Sequence, residues 1–145
     1  MPLLSTVMWL PSALDIQLQQ DAGISHFEFG VLASLSGQND GSMRLTELAR
    51  IANSTLSRLS KVVSRLSEKG WVERRPDPVD GRTTLATLSP AGFEKVAAAA
   101  PAHVARVREL VFDQLTPTEI EQLATIAKKL SAATGLDGSC ASRLG

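Results

Sequence analysis

The side chains best suited to chemistry in this chain are hydroxyl and basic residues along one predicted helix, residues 55–69. They alternate with a stripe of Leu and Val, which gives the helix one apolar face and one polar, basic face. Arg58, nearest the helix start, is placed to meet a DNA base edge, and Lys61 and Arg65 to bind phosphates. Taken alone, the pattern is slightly more typical of a solvated helix face. The polar face comprises Thr55, Ser57, Arg58, Ser60, Lys61, Ser64 and Arg65.

A second basic group lies at the tip of a predicted β-hairpin that follows this helix. Residues 71–74 and 83–88 are expected to be strands, and the second is rich in β-branched Thr. The link contains Asp80-Gly81-Arg82, in which the glycine should permit a tight reversal. An arginine there can enter a narrow minor groove, and the neighbouring aspartate can hold its guanidinium. Alone, the motif also fits a generic hairpin, although Arg74 and Arg75 add positive charge to it.

The turns around the polar helix place both basic groups in one structural unit. A short helix carrying Leu48 is expected to start at a Thr46 cap, and Asn53 to take a left-handed turn. Helix, turn, longer helix and β-hairpin, in this order, predict a winged helix-turn-helix whose second helix enters the major groove of double-stranded DNA. The second helix is expected to start after Ser54 or Thr55, to end at Gly70, and to bury Leu56, Leu59, Val62, Val63 and Leu66.

Longer helices are predicted on both sides of this unit. Residues 3–20 have apolar residues at helical spacing, with a break or kink expected at Pro11. Further helices should follow caps at Ser25, Ser89 and Thr116; the first should bury Phe27, Val31, Leu32 and Leu35. Exposed apolar stripes on terminal helices need a partner, so a symmetric dimer is expected. The predicted fold class is mainly α with a small β-wing, a winged helix-turn-helix flanked by N- and C-terminal dimerisation helices.

Composition fits one domain, residues 1–145, with an aliphatic core, since hydrophobic residues are 43% and aromatic residues only 4%. The formal net charge is zero, but residues 44–88 hold nine Lys/Arg against five Asp/Glu. This local excess directs one surface at phosphate while acidic flanks keep the total neutral. We expect residues 22–90 to form the DNA-binding lobe, 1–21 and 91–133 the dimerisation helices, and 134–145 a flexible tail.

The remaining chemistry-bearing residues favour no enzyme, metal or cofactor. The single cysteine, Cys140, cannot form an internal disulfide, which favours a reducing cytoplasm. The N-terminus lacks the basic start of a signal peptide and is too short to span a membrane. His26 and His103 lack metal-ligand spacing, and no nucleophile motif or phosphate-binding loop is present.

From about Gly23 to Leu130 the chain resembles the MarR family of bacterial winged-helix regulators. The resemblance rests on Leu48-Ala49, on Leu66-x-x-x-Gly70-Trp71-Val72-Glu73-Arg74, on Asp77-Pro78-x-Asp80-Gly81-Arg82, and on Leu88-Ser89-x-x-Gly92. It implies a two-fold dimer that represses genes on a near-palindromic operator, with Arg82 in a minor groove. It also implies that Thr55, Ser57, Arg58 and Lys61 face DNA. The sequence departs from the family pattern at Pro11 and at Asn53, where a turn glycine is usual.

The resemblance further implies release from DNA by a small aromatic or lipophilic effector. Met8, Trp9, His26 and Phe27 are the candidate pocket residues, although apolar residues at helical spacing are more often core. The zero net charge leaves open a second class of function, a winged-helix module that binds proteins and not DNA. A small enzyme is a third class, motivated only by an expected apolar cleft between the terminal helices.

Overall fold

The computed structural model describes residues 1–134, and Cys140 and most of the predicted tail lie outside them. Two compact units are present, Met1–Val104 and the segment from Ala105 onward. Within the described residues, no helix combines the length and apolar character needed to span a membrane. The elements are α1 (Pro2–Ala22), α2 (His26–Ser36), β1 (Ser42–Arg44), α3 (Leu45–Ile51), α4 (Leu56–Glu68), β2 (Val72–Pro76), β3 (Thr84–Leu88), α5 (Pro90–Leu110), a 3-10 turn (Phe112–Gln114) and α6 (Pro117–Ala133).

The first unit is a winged helix-turn-helix, as predicted. Its three strands form an antiparallel sheet in the order β1-β3-β2, with Met43 opposite Ala86 and Arg74 opposite the same residue on the other side. Leu and Val side chains of α2, α3 and α4 pack on this sheet around the fully buried Leu48, Leu59 and Leu66. A smaller cluster joins α1, α2 and α5 through Leu18, Ile24, Phe29 and Ala99. The aliphatic core thus fixes α4 against the sheet.

Most predicted helix ends are confirmed by hydrogen bonds. The Ser25 and Thr116 hydroxyls accept the N–H groups of Glu28 and Glu119, and each glutamate accepts a bond back, so both capping boxes form. Asn53 takes the left-handed conformation with φ 49°, between α3 and α4. Thr55, rather than Ser54, caps α4.

Several local predictions are wrong. The first helix continues through Pro11 without a break: Val7 and Pro11 are exposed, so water can bond to the Val7 carbonyl, which the proline leaves without its usual donor. Helix α3 begins at Leu45 with no side-chain cap, since β1 pairing carries the chain directly into it. Thr46 therefore caps nothing.

Two buried positions were also misplaced. Leu56 is 47% exposed, because it lies in the first turn of α4, before the helix reaches the core. Phe27 is half-buried, and Phe29 takes the buried aromatic position on α2. The reversal expected at Gly81 is present: the Thr83 N–H donates to the Asp80 carbonyl at 3.0 Å, and Gly81 lies inside this turn without a positive φ.

Candidate nucleic-acid interface

Helix α4 has a fully apolar inner face and a polar outer face. Leu59, Val62, Val63 and Leu66 are buried, and the hydroxyl and basic residues between them are exposed or half-exposed. The Thr55 hydroxyl accepts the Arg58 N–H at 3.1 Å, which caps the first turn of α4, where Ser57 and Arg58 lie. On the outer face of α4 the exposed side chains are Ser57, Arg58, Lys61 and Arg65.

The guanidinium of Arg58 stacks on an aromatic ring of a different helix. Its Cζ lies 4.2 Å from the centre of the Phe27 ring, near the start of α2. Arg58 forms none of the ion pairs found among residues 1–134. Its N–H donors are thus not committed to a carboxylate, which suits a residue that would read a base edge.

Arg74 ties the wing to the outer face of α4. From β2, its guanidinium donates to the Ser64 hydroxyl at 2.5 Å and to the Ser60 hydroxyl at 3.3 Å. Arg75 lies next along the strand and therefore on the opposite face, where it donates to the Thr87 hydroxyl at 3.2 Å. The structure thus brings Arg74, Ser60 and Ser64 together and places Arg75 apart from them.

The tip of the wing presents Arg82 to solvent. Its side chain is 95% exposed, and its Nε lies 3.6 Å from Oδ1 of Asp80, which also accepts the Arg82 backbone N–H at 3.1 Å. Arg82, Arg74 and Ser60 also line one cavity of about 200 Å³ between the wing and α4. The two predicted basic groups are therefore neighbours on one surface.

Asp77 is a site residue that the sequence reasoning missed. Its side chain is only 5% exposed, and it accepts bonds from Arg44 Nε at 2.6 Å, the Val79 N–H at 2.9 Å and the Thr83 hydroxyl at 3.3 Å. The bond from the Val79 N–H, followed by the Arg44 guanidinium, holds the pKa of the Asp77 carboxyl below its ordinary value. The Asp77-Pro78 step, a frequent turn signal, was the available clue.

The base of the wing is held by a close approach between α5 and the chain at Trp71. A Cβ on Gly92 would lie 2.1 Å from the Trp71 carbonyl oxygen, so no other residue fits there without a shift. The Ser89 N–H donates to the same carbonyl at 3.0 Å, and the Ser89 hydroxyl donates to the Gly70 carbonyl at 2.6 Å. These contacts fix where β2 starts and hence where the wing points.

A cavity of about 630 Å³ lies between α1, α2 and the start of α4. His26 and Phe27 line it, as predicted for the effector pocket, and so do Asp15 and Arg58. Met8 and Trp9 do not line it: both lie on α1 with exposed side chains. The cavity and the polar face of α4 therefore share Arg58.

His103 is buried next to this cavity and was not singled out by its sequence context. Its Nδ1 lies 3.1 Å from the Gln17 side-chain oxygen, and its ring packs at 4.6 Å on Phe29 and 5.7 Å on His26, between ring centres. Burial, followed by the nearby His26, lowers the pKa of His103 below its ordinary value. The neutral ring is thus the form that the fold favours.

Comparisons with known proteins give one consistent assignment. The MarR family profile matches residues 24–84. The transcriptional repressor MprA of Escherichia coli (strain K12) is 29% identical over 108 residues, which are 74% of this chain and 61% of MprA. The chain thus covers less than two thirds of that relative.

Solved structures extend the likeness over nearly the whole chain. Sco3205 of Streptomyces coelicolor is a MarR family transcriptional regulator solved in complex with DNA. It is 39% identical to this chain with a TM-score of 0.89, and the matched region covers 92% of this chain and 86% of the Sco3205 chain. AbsC, also a MarR family transcriptional regulator from Streptomyces coelicolor, is 29% identical with a TM-score of 0.86. The matched region covers 90% of this chain and 88% of the AbsC chain. This chain belongs to the MarR family.

Proposed function

We propose that the protein is a dimeric transcriptional repressor that binds a near-palindromic site in double-stranded DNA. The observation that carries the proposal is the joint surface of α4 and the wing. Exposed Arg58, Lys61 and Arg65 lie on the helix, and Arg82 projects from the wing beside it. A helix for the major groove and an arginine for the adjacent minor groove are the two parts that such binding requires.

The distribution of charge supports the same function. Residues 44–88 carry the excess of basic residues in a chain of zero net charge. Such a local excess attracts the phosphate backbone without making the whole protein polycationic. A repressor acts on the chromosome, so the cytoplasm remains the expected location.

A homodimer is part of the proposal because a near-palindrome is read by two symmetric subunits. On α1, the exposed apolar side chains include Leu4, Met8 and Trp9, and on α6 they are Leu123, Ile126 and Leu130. Each of these faces is expected to contact the partner subunit. This interface would also explain why Met8 and Trp9 lie outside the cavity of the single chain.

Release by a small effector is the regulatory part of the proposal. The cavity of about 630 Å³ is within the usual size of a small-molecule site. Its apolar lining includes Phe27, Ile16 and Ile51, and its polar lining consists of Ser12, Asp15, His26, Ser34 and Arg58. An aromatic or lipophilic molecule suits such a lining. Arg58 lines the cavity and also belongs to the DNA-facing surface of α4. A molecule bound in the cavity would therefore contact α4 directly.

A mobility-shift assay with the DNA upstream of the protein's own gene tests the proposal. Wild-type protein should retard the fragment as a dimer at low salt, and Arg82→Ala should weaken binding to every sequence. Arg108→Ala is the matched control: it removes the same charge from an exposed residue of α5 that is not in the wing, and should leave affinity unchanged. Capture of a partner protein, with no DNA retarded by the wild type, would instead favour the protein-binding module.

A further inference from the structure

Phe27 makes a second contact, with Arg58, that its packing against the core does not require. One side of its environment is the buried cluster of α2, α3 and α4, against which it is partly buried. The guanidinium of Arg58 lies over its ring, with 4.2 Å between the Arg58 Cζ and the ring centre. The aromatic ring thus lies between the core and the residue best placed to read a base.

We propose that Phe27 is a positioning residue for DNA recognition: it holds the Arg58 guanidinium in the orientation that reads a base pair. This inference rests on the proposed DNA-binding function and adds a residue outside α4 to it. A guanidinium that lies parallel to a ring contacts it through its flat face and leaves its in-plane N–H donors free. Those donors are the ones that pair with the acceptor edge of a guanine.

Phe27 and Arg58 both lie in the first turn of a helix whose N-terminus is capped. Phe27 follows the Ser25 capping box on α2, and the Asp15 carboxylate of α1 accepts the N–H of His26 at 2.7 Å. Arg58 lies in the first turn of α4, which the Thr55 hydroxyl caps. The ring and the guanidinium are therefore brought together by backbone positions that do not depend on DNA.

The physical effect is a smaller entropy loss on binding. A free arginine side chain samples many rotamers, and ordering it on a base costs conformational entropy. An arginine that already stacks in the free protein loses less, so the correct base pair gains affinity through preorganisation. Non-specific binding through phosphates does not need an ordered Arg58 side chain, so its Kd should not change when the Phe27 ring is removed.

The test compares Phe27→Leu with three other proteins: Phe27→Trp, which keeps an aromatic face, Arg58→Ala, and the double variant. Phe93→Leu is the control for loss of a phenylalanine ring outside the α4 surface, and gel filtration checks that it remains a dimer, since Phe93 is an exposed residue of α5. The probes are a selected inverted-repeat duplex, the same duplex with both half-sites changed at the base pair read by Arg58, and an unrelated duplex. Fluorescence anisotropy gives Kd for each, and thermal melting confirms that each variant folds.

Phe27→Leu should lower discrimination between the first two duplexes by about two- to fivefold per half-site, the size of an exposed cation–π contact, and hence by roughly five- to 25-fold for a dimer that reads both half-sites. Phe27→Trp and Phe93→Leu should keep the discrimination, and the double variant should discriminate no worse than Arg58→Ala. The Kd for the unrelated duplex should stay within about twofold of wild type.

Three results would overturn the inference while the proposed function stands. These are full discrimination by a folded Phe27→Leu, an equal further loss when Phe27→Leu is added to Arg58→Ala, and a uniform weakening on all three duplexes. If Phe27→Leu does not fold, Phe27→Trp decides, because loss of discrimination there without a change of melting temperature contradicts the role of the aromatic face. A wild-type protein that binds none of the duplexes refutes the proposed function itself.

Discussion

Asp77 shows how a single buried side chain can control an exposed one. It forms no expected contact with DNA, but its three hydrogen-bond donors come from β1, the tip and Thr83 just before β3. Arg82 lies within this same tip, where Asp80 accepts its backbone N–H. Asp77 thus helps to hold the loop that carries the wing arginine, although it does not contact Arg82 itself.

Asp77→Asn should weaken DNA binding roughly tenfold, because the amide carries no charge for Arg44 and has one acceptor oxygen, which cannot serve both the Val79 N–H and the Arg44 guanidinium. Hydrogen exchange at the Val79 and Thr83 amides should speed up, while the core amides of α4 stay protected. Glu73→Gln is the control, since it removes the same charge from an exposed position on β2. If both variants bind DNA more tightly, only net charge matters and the wing is not held by Asp77.

His103 should make the stability of the fold depend on pH. The pKa of His103 is lowered in the fold, so the unfolded chain binds more protons than the folded one as pH falls through the unfolded value near 6.5. Stability is thus fully present above that pH and is lost progressively below it. The groups that face the ring are Gln17 on α1, and Phe29 and His26 on α2.

The melting temperature of wild-type protein should therefore fall between about pH 7.5 and 5.5, since protonation opposes both burial and the nearby His26. His103→Gln keeps a polar partner for Gln17 and should flatten this dependence. A His103→Gln variant with an unchanged pH slope would show that another group is responsible.

At the scale of elements, the contact of α5 with Trp71 decides where the wing begins. Gly92→Ala should lower the free energy of unfolding by on the order of 3 kcal/mol, because the new Cβ meets a backbone carbonyl that cannot rotate away. Gly30→Ala on α2 is the control, since no atom lies within 4 Å of its would-be Cβ. Thermal melting should show Gly30→Ala equal to or above wild type, and a stable Gly92→Ala would contradict the close packing.

The elements differ in how much of them the sequence could predict. Capping boxes, the Asn53 turn and the alternation on α4 are local patterns, and the structure confirms them. The break at Pro11 was wrong because the exposure of this proline depends on the tertiary fold, and the Thr46 cap was wrong because α3 begins one residue earlier, directly after β1. The Arg44–Asp77 pair, the Arg74 bridge to α4 and the Phe27–Arg58 contact join different elements, so no spacing rule could have found them; only the turn bonds of Asp77 are local.

At the scale of the whole molecule, the decisive property is the uneven distribution of charge. A total of zero gives no indication of nucleic-acid binding, but the basic residues gather in α4 and the wing. If this basic surface binds a duplex, it displaces the cations that are condensed on the phosphates, and the affinity then depends on salt concentration.

The most direct measurement is the Kd of wild-type protein for an inverted-repeat duplex as a function of salt concentration. If the dimer neutralises on the order of six to ten phosphates, Kd should rise about 10³- to 10⁵-fold between roughly 50 and 200 mM salt. Arg82→Ala should bind more weakly and show a shallower slope. An affinity that does not change with salt, or no binding at the lowest salt, would contradict the assignment of α4 and the wing as a DNA-binding surface.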